Sequence, residues 1–212
     1  APYAKEGEVL LRVTASAKSR DEADEMMAPV IQKVKSMFGE NVYGVDIGSL
    51  QAALVAALQA KGLKVAAAES CTGGLVSKRI TEVAGASQVF DCGVCSYANR
   101  IKEQVLGVSH ETLETLGAVS EETAAQMAAG VRKLSKADIG VSTTGIAGPD
   151  GGTEEKPVGL VYVGVDSENY TTVLECRLSR GYDNERELIR YLASSHALRL
   201  ALTAAEKAAK KN

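Results

Sequence analysis

Along this chain the apolar residues keep two periods. Short, nearly continuous apolar runs have the length of strands, and between them lie stretches where apolar residues recur every three to four positions, as on one face of a helix. Glu8–Thr14 reads as a strand. Ser19 with Glu22 forms a capping box ahead of a helix to about Phe38, with Met26, Met27, Val30, Ile31 and Val34 on its apolar stripe. Pro29 inside that stripe predicts a kink or a break, and Gly39 closes the helix. Val42–Val45 reads as a brief second strand. Ser49 opens a helix carrying Leu50, Leu54 and Leu58, which Lys61 and Gly62 end with a C-cap signature. Val65–Ala68 is a short buried strand, and Leu75–Val83 a helix. Phe90–Tyr97 is a strand, with helical pattern resuming near Arg100. Ser109–Leu116 and Ser120–Lys133 are helices. Asp138–Thr143 is a strand that runs into a Gly- and Pro-rich loop, Thr144–Gly152. Val158–Val165 and Tyr170–Leu178 form a hairpin through the turn residues 166–169. Arg186 to about Ala209 is the closing helix, and its terminal lysines suit the negative end of the dipole.

Strands alternating with helices, then a hairpin, predict an α/β fold: three layers, α/β/α, around a mainly parallel mixed sheet with an antiparallel edge. A small α+β segment precedes it. The division falls into residues 1–48 and 49–212, and the first part is too small to build a robust core alone.

Composition narrows the function classes. The chain has 212 residues, 45% of them hydrophobic and 24% charged, with a net charge of −3. That balance makes no electrostatic case for nucleic-acid binding. No apolar run approaches the length of a membrane span, and Ala1–Glu6 leads into charge rather than the apolar core of a signal peptide. We expect a cytoplasmic protein and, since the first residue is not Met, a processed or truncated piece. Four cysteines, Cys71, Cys92, Cys95 and Cys176, point to a reducing compartment. Cys92-Gly93-Val94-Cys95 has redox or zinc spacing, but it lies in a strand and no second pair exists, so we read its thiols as buried core.

The candidate chemistry sits at strand ends. Val65–Ala68 gives way to Glu69-Ser70-Cys71-Thr72-Gly73-Gly74, and a helix follows. A strand that breaks there presents polar side chains at the carboxyl edge of the sheet, where ligands bind in open α/β folds. The glycines allow close approach, and the first helical N–H groups offer donors to an oxyanion or phosphate. On the residues alone, either Ser70 or Cys71 can serve as nucleophile. Two more polar ends, Tyr97–Lys102 and Thr143–Pro149, face the same edge of a parallel sheet. Neither His110 nor His196 lies at a strand end, and both read as structural. Lys102 is the better base, since Ser–Lys pairs follow the triad logic. It must be neutral to act, through burial or a neighbouring positive charge such as Arg100. Tyr97 can donate to an oxyanion or orient Lys102, and Thr144 can bond substrate. Arg180, Arg186 and Arg190 crowd one region, where an arginine can clamp a phosphate or carboxylate.

Taken in order, Ala68–Gly74, Tyr97-x-Asn99-x-x-Lys102, Gly117–Ser120, Thr144–Pro149 with Pro157–Leu160, and Arg186-x-x-Ile189-Arg190 resemble the C-terminal domain of the CinA (competence/damage-inducible) family over about Ser49–Leu202. Residues 1–48 resemble part of the family's KH-like linker domain. That C-terminal domain is similar to nicotinamide mononucleotide deamidases. The resemblance implies conversion of nicotinamide mononucleotide to nicotinate mononucleotide and ammonia, without metal or organic cofactor, by a homodimer. It implies Ser70 as nucleophile, Lys102 as base and Tyr97 as a further catalytic residue. Thr72, Gly73, Gly74, Asn99, Thr144, Gly145 and Arg186 would bind substrate. Where the family has Gly-Asp before the matching arginine, this chain has Asn184-Glu185. Long members carry a preceding molybdopterin-binding-like domain associated with pyrophosphatase activity, which this chain lacks, so no such activity is expected. The alternative is a non-catalytic nucleotide-binding or regulatory domain linked to competence or DNA damage.

Overall fold

The amino-terminal hairpin forms where the chain can close it locally. In the computed structural model, which describes residues 1–211, β1 (Pro2–Lys5) pairs antiparallel with β2 (Glu8–Leu11), Lys5 opposite Glu8, through a turn at Glu6 and Gly7 with Gly7 at φ 70°. The strand expected at Val42–Val45 is absent: residues 39–41 form a 3-10 turn and the chain then runs on irregularly. Pairing Glu8–Leu11 with its immediate neighbour closes a far shorter loop than reaching across about thirty residues. Between them α1 (Arg20–Phe38) starts at Ser19, whose Oγ accepts the Glu22 N–H at 3.2 Å. The helix continues unbroken through Pro29. Pro29 and Glu25, the residue whose carbonyl loses its helical donor, are both exposed, so water can take the donor's place. No residue of this first unit, Ala1–Asp46, is buried.

The second unit begins at Ile47. Its elements are α2 (Leu50–Lys61), β3 (Val65–Glu69), α3 (Leu75–Thr81), β4 (Phe90–Cys95), α4 (Asn99–Leu106), α5 (His110–Thr115), α6 (Glu121–Ser135), β5 (Ile139–Gly145), β6 (Leu160–Ser167), β7 (Thr172–Arg177) and α7 (Arg186–Lys207). Ser49 and Ser120 open α2 and α6 as the sequence predicts, Ser109 caps α5 rather than forming its first turn, and Gly62 ends α2 in the left-handed conformation.

The sheet has five strands in the order β4-β3-β5-β6-β7. β3 is parallel to β4 and β5, while β5–β6 and β6–β7 are antiparallel, so the mixed sheet is evenly divided. Every residue of β3 is buried, as befits a strand covered on both faces. Ala66 and Ala68 pack with Leu106, Met127 and Val131 of α4 and α6. Side chains alternate along a strand, so Ser70 follows Ala66 and Ala68 toward α4, and Glu69 points the other way, toward α3. On the opposite face α7 lies against β5 and β6 and against α2. Its buried stripe, Ile189, Ala193, Ala197, Leu198, Ala201 and Ala205, keeps the helical period.

Glycines let α6 sit close. A Cβ built on Gly140 of β5 would stand 2.1 Å from the Ala128 carbonyl oxygen, and one built on Gly130 would stand 1.9 Å from that of Leu106. The second contact fixes α6 against the end of α4, the helix that carries Lys102.

Candidate active site

The chain leaves β3 at Ser70, crosses one face to β4 through α3, and returns to β5 by way of α4, α5 and α6. The carboxyl end of β3 lies where these connections part, and a crevice forms at such a point. Here it is a cavity of about 200 Å³ lined by Ser70, Cys71, Tyr97, Lys102, Ala118, Val119, Thr144, Gly145, Ala147 and Arg186. The three polar strand ends therefore converge.

Lys102 is 1% exposed. Its Nζ lies 3.1 Å from Ser70 Oγ and donates to the carbonyl oxygens of Ser96 at 2.8 Å and Tyr97 at 3.2 Å. No carboxylate stands within ion-pair distance of it among the described residues. All three partners of the amine, the Ser96 and Tyr97 carbonyls and the Ser70 hydroxyl, are uncharged oxygens. Burial lowers the Lys102 pKa below its usual 10.5. The cause is loss of water and not a neighbouring cation, since Arg100 is exposed. A serine hydroxyl beside a buried amine whose pKa is lowered by burial has the geometry that a nucleophile and its base need.

Glu69 was missed by sequence reasoning. It is 1% exposed, and its carboxylate accepts five hydrogen bonds: Oε1 from the Ser77 N–H and Oγ, Oε2 from the N–H groups of Gly74 and Val76 and from Thr72 Oγ1. The first helical N–H groups are thus taken by Glu69 rather than presented to a ligand. Thr72 Oγ1 also meets Thr143 Oγ1 at 2.7 Å, and Arg190 donates to the Thr72 carbonyl at 2.8 Å. Of Thr72, Gly73 and Gly74, expected to bind substrate, none puts a side chain into the cavity: Thr72 Oγ1 turns away to Glu69 and Thr143. They build the turn behind it, with Gly73 and Gly74 at φ 58° and 95°. The parity of Glu69 against Ser70 was the available signal.

Asn99, also expected at the site, is exposed at the first turn of α4 and lines no part of the cavity. Tyr97 is 66% exposed. Its carbonyl, not its hydroxyl, holds Lys102, while the hydroxyl accepts from Arg186 at 3.4 Å. Arg186 also donates to the Gly148 carbonyl at 2.5 Å. Thr144 is buried and donates its hydroxyl to the Ala118 carbonyl at 2.5 Å, and Lys156 donates to the carbonyls of Leu116 and Val119. These bonds hold the loop that forms the apolar wall. Asn184 takes φ 61°, a conformation that asparagine tolerates in place of glycine. Glu185 accepts from Ser179 Oγ and from the Arg180 N–H, and the Ser179 bond leads the causes that lower its pKa. The Asn184-Glu185 departure therefore still delivers Arg186 to the cavity.

Cys71 lines the cavity, but burial pushes its thiol up to about 12. Cys92 packs at the edge of the core, whereas Cys95 is exposed, against the expectation of buried thiols. Positions three apart in a strand point to opposite faces, so the pair cannot share an ion or form a redox couple. His110 is exposed near Glu103 and His196 is partly buried in α7; neither lines the cavity. No helix among the described residues is long and apolar enough to cross a membrane.

The family model for the CinA C-terminal domain matches residues 47–205, and that for the damage-inducible protein CinA KH domain matches residues 1–44. The chain belongs to the CinA family. A CinA-like protein from Kosmotoga olearia is 50% identical over 93% of this chain and 47% of its own length. One from Desulfovibrio desulfuricans is 48% identical over 93% of the chain and 46% of its own length. The chain spans about half the length of the curated relatives it matches. Among solved structures, the competence/damage inducible protein CihA from Agrobacterium tumefaciens is 42% identical, with a TM-score of 0.71 over 76% of this chain and 96% of that one. The mixed sheet flanked by helices is therefore the CinA superfamily fold.

Proposed function

We propose that this CinA-family chain is an amidohydrolase that converts nicotinamide mononucleotide to nicotinate mononucleotide and ammonia through an acyl-enzyme on Ser70. The observation that carries this reading is the buried Lys102 amine 3.1 Å from Ser70 Oγ inside a cavity. Ser70 Oγ attacks the carboxamide carbon and Lys102 takes its proton. The ammonium of Lys102 returns that proton to the departing nitrogen, and ammonia leaves. Water, activated by the again neutral Lys102, then attacks the acyl carbon, and Ser70 is restored. Backbone N–H groups of the Ser70 turn hold the oxyanion. A cavity of about 200 Å³ suits the carboxamide-bearing ring and leaves the sugar phosphate at the mouth, beside Arg186.

The test is ammonia release from nicotinamide mononucleotide by the purified chain. A folded chain that binds the nucleotide without releasing ammonia would establish the non-catalytic, regulatory reading instead. Cys71→Ala removes a thiol that burial keeps protonated and is expected to retain most of the activity, which separates a serine from a cysteine amidase. The pH profile carries its own prediction. The base works only when deprotonated, and its pKa in the folded chain lies below 10.5. Activity should therefore be low in acid and rise with pH through that lowered pKa, with unit slope on the acid limb of log(kcat/KM). A profile flat across that limb would remove Lys102 from the role of base.

A further inference from the structure

The N–H groups from Ser70 to Ser77 can be followed one by one. That of Ser70 donates to the Thr143 carbonyl, Gly73 to Ser70, and Leu75 to Thr72. Those of Gly74, Val76 and Ser77 go to the Glu69 carboxylate. Only Cys71 and Thr72 are left: the Thr72 N–H meets no acceptor among the described residues, and the Cys71 N–H meets only its own thiol sulfur, a weak acceptor. Backbone donors in a buried turn are almost always paired with oxygen, so two adjacent ones without an oxygen acceptor beside a candidate nucleophile need a reason.

We infer that the N–H groups of Cys71 and Thr72 form the oxyanion site, and that Glu69 is the positioning residue that defines it. This rests on the acyl-enzyme reading of Ser70. Glu69 acts in two ways. It draws three N–H groups of the α3 terminus away from the cavity, so that only the two next to Ser70 remain. It also pins the far side of the turn through Thr72 Oγ1 at 2.6 Å, so these two donors keep their place while charge develops on the substrate oxygen. Donors fixed in advance are worth most in the transition state and little in the ground state. Loosening them should therefore lower kcat and leave KM nearly unchanged.

Glu69→Gln keeps the shape but replaces one accepting oxygen by an NH₂ group, which cannot take N–H donors. It is expected to lower kcat for ammonia release about 10- to 100-fold with KM within about twofold of the parent, the scale of a weakened oxyanion donor. Leu58→Ala, in the core beneath α7 and away from the cavity, serves as a control of similar stability loss and should retain kcat. Thr72→Val, which removes a single bond to Glu69, covers the case in which Glu69→Gln does not fold; its kcat should fall about three- to tenfold with KM unchanged, since it loses one neutral hydrogen bond. A second readout is independent of the nucleotide: the rate at which a fluorophosphonate labels Ser70, where the Ser70 oxygen bonds to phosphorus, fluoride leaves and Lys102 takes the hydroxyl proton. The Glu69 variant should label more slowly than both parent and Leu58→Ala. Equal labelling and equal kcat in folded Glu69→Gln, or in Thr72→Val should Glu69→Gln not fold, would overturn the inference alone, as would a matching loss in Leu58→Ala. A parent that labels at Ser70 but leaves the nucleotide intact would overturn the proposed substrate and leave the labelling rates to decide the role of Glu69. A parent inert in both assays would overturn both.

Discussion

Ser70→Ala and Lys102→Met are each expected to cut ammonia release from nicotinamide mononucleotide by about 10³-fold or more, with the double variant losing little beyond either single one. Residues that act as one unit are grossly non-additive, and a serine without its base is nearly as impaired as a site without the serine. The geometry leaves no substitute for either. Neither histidine lines the cavity, no carboxylate lines it, and the neighbouring thiol is kept protonated by burial. Lys102→Arg is expected to fail as completely as Lys102→Met, because a guanidinium stays charged and cannot accept the Ser70 proton. Retention of activity in the arginine variant would show that Lys102 supplies charge rather than a lone pair. Additive losses in the double variant would show that the two side chains do not work on one step.

Much of this architecture is legible in the sequence, for reasons that differ from place to place. The helix starts at Ser19, Ser49 and Ser120 were legible because capping is a local hydrogen bond within three residues. The convergence of Ser70, Lys102 and Thr144 was legible because parallel strands bring their carboxyl ends to one edge. The first strand's partner was not. Val42–Val45 has a strand-like composition, but pairing depends on which segment lies within reach, and Pro2–Lys5 lies nearer. The site residues divide in the same way. Ser70, Lys102, Tyr97, Thr144, Gly145 and Arg186 come together around one cavity. The Thr72 side chain, Gly73 and Gly74 support the turn from behind, since a motif marks which residues matter without saying which of their atoms face the ligand. Asn99 falls on the exposed side of α4, three positions from Lys102 yet pointing elsewhere. Glu69 was overlooked because a lone glutamate in an apolar run reads as an interruption. Only the alternation of side chains along β3, with the free N–H groups of α3 waiting on the other face, gives it a place.

Gly130→Ala should be among the most damaging single substitutions outside the cavity. In an exposed helix interior the change would be favourable by about 1 kcal/mol. Here the added methyl would stand 1.9 Å from the Leu106 carbonyl oxygen and 2.8 Å from its carbon. Backbone cannot swing aside as a flexible side chain does, so α6 and the end of α4 must separate. Overpacking of this kind costs about 1–3 kcal/mol and occasionally more, and we expect a net loss at the upper end of that range. For a protein of this size that lowers Tm by about 5–10 °C. Activity should fall with it. Lys102 lies one helical turn before Leu106 on α4, and a shift of that turn by a fraction of an ångström opens the distance from Nζ to Ser70 Oγ. Misplacement of about 1 Å costs on the order of 10²-fold in rate. Thermal unfolding and ammonia release, measured on the same preparation at a temperature where the variant is fully folded, separate the two effects. A variant with lowered Tm but parental kcat would mean that the separation is taken up by α6 and the sheet, leaving α4 and its lysine in place.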